Sequence, residues 1–381
     1  MIPLFKVAMS DSAPAAVSEV LTSGQIGQGA KVKAFEQKLA EHIGNPRVAT
    51  VNSATSGLHL AVHLACDVTR LRARAAGVAD GPEEVLSTPL TMEATNWAVL
   101  ANNQNIRWVD VDPNTLNVDL DDLERKISPA TRAIVVVHFA GYPVDLNRLS
   151  AILDRAESAF GFRPMVIEDC AHAWDATYDG SSLGTHGNIA VFSFQAIKHL
   201  TCSDGGLVVL PEDELHRRTK LLRWFGIDRE VTDRLRNPPD VAEFGFKFHM
   251  TDINATIGLS NLDLADRAVA RHRENAAFFD AELAGVPGLA LTERASDRQS
   301  SFWVYPILVE RQEAFAKRLT DAGIMVNQVH QRNDIHSCVR RFSALLPNLD
   351  RVSEQMICLP VGWWVSDEDR RHIVDTIHAG W

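Results

Sequence analysis

The sequence predicts an α/β fold, a sheet with helices on both faces, followed by a smaller α+β part. Short apolar runs alternate with helix-like stretches along roughly the first two thirds of the chain. Beyond about residue 260 that rhythm gives way to one long helical stretch, a strand-like run and a further helix. With 381 residues, 46% of them hydrophobic, the chain can bury a core larger than one simple layer holds, so two domains are expected.

The candidate strands are 47–51, 85–87, 106–111, 133–137, 165–167, 189–194 and 207–210. They are mostly apolar and too short for buried helices, as strands covered on both faces read. In the second part, 262–283 predicts a long helix, WVYPILV at 303–309 a strand, and EAFAKRLTDAG a helix. GVPGL at 285–289 and the polar ERASDRQSS make loops rather than a flexible linker, so the two parts, 1–260 and 261–381, are expected to pack tightly.

Composition excludes several classes of function. A formal charge of −11 argues against general nucleic-acid binding, which needs concentrated Lys and Arg to neutralise phosphates. The cysteines at 66, 170, 202, 338 and 358 form no CxxC pair, so neither a metal site nor a disulfide framework is expected. The first residues lack a basic region followed by an apolar stretch, and no run of about 18 apolar residues occurs. A cytoplasmic protein without a membrane segment is the expectation.

The residues that suggest chemistry lie between Ile167 and Gly206. Asp169 follows one apolar run and Lys198 another, 29 residues on (198 minus 169), where buried strands deliver side chains to a ligand. Lys198 follows FSFQAI, a setting that disfavours the ammonium form, whereas Lys31, Lys33 and Lys38 lie in a polar, helix-like stretch. A lysine that forms a Schiff base must be uncharged part of the time, and a carboxylate can keep a pyridine nitrogen protonated. Singly, these are a strand-end lysine and a turn or cap acid; together they suggest a covalent pyridoxal 5'-phosphate site. Ser53, Thr55 and Ser56 precede an amphipathic helical pattern, so the amides of Ala54 and Thr55 would point from a helix N-terminus at an anion.

EDCAHAWDATYDGSSLGTHGNIAVFSFQAIKHLTCSDGGLVVL resembles the core of the DegT/DnrJ/EryC1/StrS aminotransferases, pyridoxal-phosphate enzymes that aminate nucleotide-linked keto-sugars. GQIGQGAKVKAFEQKLA, VNSATSGLHLA, STPLTMEATN, VDVDPNTLNVD, VVHFAGYPVDL, FGFKFHMTDINATIGLSNL and ICLPVGWW extend the resemblance over nearly the whole chain. It implies the fold type I aminotransferase architecture, with a mostly parallel seven-stranded sheet in the large domain and a small C-terminal domain. It also implies a homodimer with shared active sites.

Carried over residue by residue, the resemblance makes Lys198 the covalent attachment point and proton carrier, and Asp169 the partner of the ring nitrogen. Ala54, Thr55 and Ser193 would take the phosphate. Lys247, where many relatives carry asparagine, would reach that phosphate from the neighbouring subunit. His172 would lie near the ring hydroxyl. Met92 stands where relatives place an aromatic ring over the pyridine and would cover it through sulfur and methyl contacts. The implied activity moves an amino group from an amino-acid donor, L-glutamate, to a keto-sugar nucleotide during synthesis of an amino-deoxysugar.

A family branch that dehydrates sugars replaces the lysine with histidine; here Lys198 is retained and His199 lies one residue off. An aminocyclitol precursor as substrate, or a pyridoxal-phosphate-binding regulator without turnover, stays open. Substrate contacts are expected from loops around Gln28, at 229–240 and at 328–336, with His330, Arg332 and Asp334 as candidates facing the sugar.

Overall fold

The strand Thr131–Val137 sends Ala133 and Val135 to one buried face and Ile134 and Val136 to the other, and Ile189–Ser193 divides its side chains in the same way. A strand apolar on both sides must be covered on both sides. The computed structural model, which describes residues 1–79, 81–231 and 240–381, shows how. Its strands in chain order are β1 (Val48–Val51), β2 (Glu84–Ser87), β3 (Asn105–Trp108), β4 (Thr131–Val137), β5 (Met165–Asp169), β6 (Thr177–Tyr178), β7 (Ser181–Ser182), β8 (Ile189–Ser193), β9 (Gly206–Val209), β10 (Leu289–Leu291), β11 (Arg298–Gln299), β12 (Tyr305–Val309) and β13 (Met356–Leu359).

Seven strands form the central sheet in the order β1-β9-β8-β5-β4-β2-β3. The pairs from β8 through β5, β4 and β2 to β3 are parallel, and β9 runs antiparallel to both β1 and β8. The mostly parallel seven-stranded sheet is therefore present. On one face the helix Ala54–Ala75 packs Leu58, Ala61 and Leu64 into the core; on the other, Ala30–Ile43 contributes Phe35 and Leu39, and Leu146–Phe160 contributes Leu149 and Ile152.

A third core gathers β12 and β13 with the helices Gln312–Asp321 and Asp367–His378. The helix Asp252–Leu283 joins the cores, burying Ala255, Ala265 and Val269 in one and Ala276, Phe279 and Leu283 in the other. The division expected at residue 260 falls inside this helix, which begins ten residues earlier than its apolar pattern (262 minus 252). Thr251 caps it by accepting from the Asn254 amide. Gly258 is required because a Cβ there would lie 2.5 Å from Phe35 and 2.6 Å from the Cys202 sulfur. Close packing thus overrides the weak helical signal of DINATIGLSN. No helix among the described residues is long and apolar enough to cross a membrane.

Candidate active site

The ends of β1, β2, β5 and β8 open onto one edge of the sheet, where ligands of such folds bind. A cavity of about 310 Å³ lies there, bordered by Ala54, Thr55, Met92, Asp169, His172, Ser193, Lys198 and His330 among others. The size suits a small ligand.

Lys198 is carried by the connection between β8 and the antiparallel β9, residues 194–205. Local bonds shape it: the Gln195 side chain accepts from the Ile197 amide at 3.0 Å, and the Gln195 carbonyl from the Lys198 amide at 2.9 Å. The Lys198 Nζ sits 3.5 Å from the centre of the Trp303 ring. Burial pushes its ammonium down to about 7, against the pull of the Asp169 carboxylate. His199 is absent from the cavity wall; its Nε2 donates to the Ser301 carbonyl at 3.1 Å.

Because side chains alternate along β5, Glu168 and Asp169 face opposite ways. Glu168 turns into the core, where His138 at 2.9 Å and Asn188 at 2.8 Å bond its carboxylate. Burial opposes its ionisation, yet these bonds hold its pKa below the usual value. Asp169 borders the cavity. Its carboxylate accepts from Thr95 Oγ1 at 2.7 Å and from the Ala171 amide at 3.0 Å, and burial raises its pKa. A cationic ring nitrogen would supply the partner that burial leaves wanting.

The first two helical amides, Ala54 and Thr55, have no intrahelical acceptor. Ser53 is spent on capping, accepting from the Ser56 amide at 3.1 Å. The helix start lies close to the sheet: a Cβ on Gly206 would come 2.6 Å from the Ala54 nitrogen, and one on Gly57 2.9 Å from Val191. Ser193, the last residue of β8, opens onto the same cavity.

His172 stacks on Trp303, with ring centres 4.1 Å apart, and its Nε2 lies 3.3 Å from His330 Nε2. One proton between those two nitrogens satisfies both of them. Burial keeps His172 neutral, and burial with the Lys198 charge lowers His330 to about 3. The Nδ1 of His172 is buried without a hydrogen-bond partner among the described residues, a donor or acceptor available to a ligand. Met92, at the N-terminus of the helix Glu93–Ala101, is half exposed on the cavity wall. A depressed lysine, a buried carboxylate, free helical amides beside a serine, and this histidine make a donor set that pyridoxal phosphate fits.

Of the expected residues, Lys247, Gln28, Arg332 and Asp334 lie outside this cavity. Lys247 is exposed and outside this cavity; its carbonyl accepts from the Asn52 side chain at 3.4 Å. Gln28 borders a separate cavity of about 520 Å³ with Glu36, Arg223 and Arg229, its carbonyl accepting from Arg229 at 3.2 Å. Arg332 is held by Asp334 at 2.7 Å and by Asp350, so its charge is engaged within the fold. Asp334 is therefore engaged too. Of the loop expected at 229–240, residues 232–239 lie outside the described residues.

Thr95 and Trp303 also border the cavity, and neither is evident from the sequence alone. Thr95 lies in STPLTMEATN, three residues past Met92, and a hydroxyl one helical turn from Thr91 is its signal. Trp303 had none, being 105 residues from Lys198 (303 minus 198) in what read as a strand.

The chain matches the DegT/DnrJ/EryC1/StrS aminotransferase family over residues 8–378. It is 29% identical over 392 aligned residues to the uncharacterized protein MJ1066 of Methanocaldococcus jannaschii, covering 99% of this chain and 96% of that one. Among solved structures, AtS13 from Actinomadura melliaura is 59% identical with a TM-score of 0.94, covering 100% of this chain and 99% of that one. The sugar aminotransferase CalS13 from Micromonospora echinospora is 55% identical with a TM-score of 0.95, and each chain is covered in full, 100%.

Proposed function

The chain belongs to the DegT/DnrJ/EryC1/StrS aminotransferase family, and from that premise we propose that it moves an amino group from L-glutamate to a nucleotide-linked keto-sugar, with pyridoxal phosphate held covalently at Lys198. The observation that carries this reading is the single cavity shared by Lys198, Asp169 and the Ala54–Thr55 amides. Similarity to a protein described as a sugar aminotransferase supports the sugar.

Asp169 would hold the cofactor's ring nitrogen, Ala54, Thr55 and Ser193 its phosphate, and His172 its ring hydroxyl, with Met92 covering the ring. When bound, pyridoxal phosphate supplies an electron sink for charge developing at the carbon that bears the amine. With its pKa brought to about 7, Lys198 is divided between free amine and ammonium near neutrality, so its Nζ can take up a proton and return it. Asp169, anchored by Thr95, stays fixed while that proton moves. The walls from Thr91, Ile197 and Trp303 limit water around Nζ. Lys247 is assigned to the second subunit's phosphate site as a point charge, which makes the working unit a homodimer.

The half-reaction tests the assignment. Cofactor-loaded protein given L-glutamate without sugar is expected to release about one 2-oxoglutarate per chain and stop, as ping-pong chemistry requires. No oxo-acid from any amino donor would refute amino transfer.

A further inference from the structure

The lysine and the tryptophan beneath it touch twice. The indole Nε1–H donates to the Ile197 carbonyl at 3.0 Å, and that carbonyl belongs to the peptide joining Ile197 to Lys198. The indole face receives the Lys198 Nζ at 3.5 Å from its centre, well inside the range of a cation–π contact. Trp303 is itself held. Its amide donates to the Ala140 carbonyl at 2.9 Å, Phe5 stacks on it at 4.9 Å, and His172 at 4.1 Å. Ser301, two residues before it, donates to the His172 carbonyl at 2.9 Å. The ring is 3% exposed, so it has little room to turn away.

We propose that Trp303 is a positioning residue for Lys198: its indole face seats the free side-chain amine, and its ring N–H fixes the peptide from which that side chain springs. The lysine must leave its covalent partner and wait close by, as a proton carrier, for part of every turnover. A side chain with four rotatable bonds, released into a cavity of this size, would otherwise sample many rotamers. A flat, polarisable surface limits that sampling without presenting a hydrogen-bond acceptor that would trap the amine. An aliphatic residue would fill the volume but do neither job. The other titratable groups at the cavity are Asp169 on β5, Asp204, His172 and His330. The last two are kept neutral by burial, which leaves the indole as an uncharged support for the ammonium form on this side of the lysine.

This rests on Lys198 as the reacting amine, which borohydride trapping tests separately. The experiment is competitive acetylation of the full-length, cofactor-free chain across pH, with the Lys198 peptide read by mass. The wild-type chain is compared with Trp303→Phe and Trp303→Leu. Trp is the best cation–π partner, so the labelling midpoint should fall in the order Trp, Phe, Leu, by about one pH unit overall. In the cofactor-loaded enzyme, kcat should fall on the order of 10- to 100-fold in the Leu variant, with the donor KM unchanged. If the Leu variant does not fold, the step from Trp to Phe decides. A flat series of midpoints in chains that still trap cofactor at Lys198 overturns the proposal and leaves Trp303 as packing.

Discussion

Glu168 and Asp169 are adjacent carboxylates, both buried, whose pKa values move in opposite directions. Burial acts alike on both; what differs is that Glu168 is bonded by His138 and Asn188, while Asp169 is bonded, among the described residues, only by Thr95 and an amide and feels Lys198 without a bond to it. A carboxylate left short of a cation at a cavity wall is a functional candidate. Lys198 is its counterpart and makes a pH prediction. Its value falls from 10.5 in the unfolded chain to about 7 in the fold, so across that window the unfolded state holds a proton the native state lacks. Stability therefore rises with pH through this group. Urea unfolding of cofactor-free Lys198→Met should show the variant more stable than wild type near pH 7, the gap narrowing toward pH 9. A constant gap would show that Lys198 keeps its ordinary value. Lys198 and Asp169 were legible in the sequence because each closes an apolar run. Trp303 was not, because its contact with Lys198 is made only by folding. Gln28 and Arg332 lie in loops, and the sequence of a loop does not announce where its side chains turn.

At the scale of elements, the anion site depends on how closely the helix Ala54–Ala75 approaches the sheet. Gly206 on β9 and Gly57 in the helix permit that approach, each where a Cβ would fall within 3.0 Å of a neighbour. Gly206→Ala would press on the backbone of Ser53 and Ala54, which cannot swing aside as a side chain can. The expected loss is about 1–3 kcal/mol in stability, with weaker cofactor retention. Thermal melts and equilibrium dialysis against pyridoxal phosphate check it; unchanged retention would mean that the helix start is not the phosphate site. The run of small polar residues before an amphipathic pattern made this element legible. The antiparallel course of β9 was not, since GLVVL reads the same in either direction.

At the scale of the molecule, Lys247 stands outside its own cavity, with Val241 and Phe244 exposed nearby along the chain and the exposed Phe225 brought close by its amide, which donates to the Phe246 carbonyl at 2.8 Å. Such a surface suits a second copy. If Lys247 serves the partner's cavity, mixing inactive Lys198→Ala and Lys247→Ala chains should restore part of the activity in hybrid dimers, because one of the two sites is then complete. Absence of recovery would return Lys247 to the surface. The central claim is the covalent role of Lys198, and borohydride reduction of the pyridoxal-phosphate-loaded chain, followed by peptide mass mapping, tests it most directly. The cofactor mass is expected on the peptide bearing Lys198 and is expected to vanish in Lys198→Ala; a reduced adduct on any other lysine, or one that survives the substitution, would contradict it.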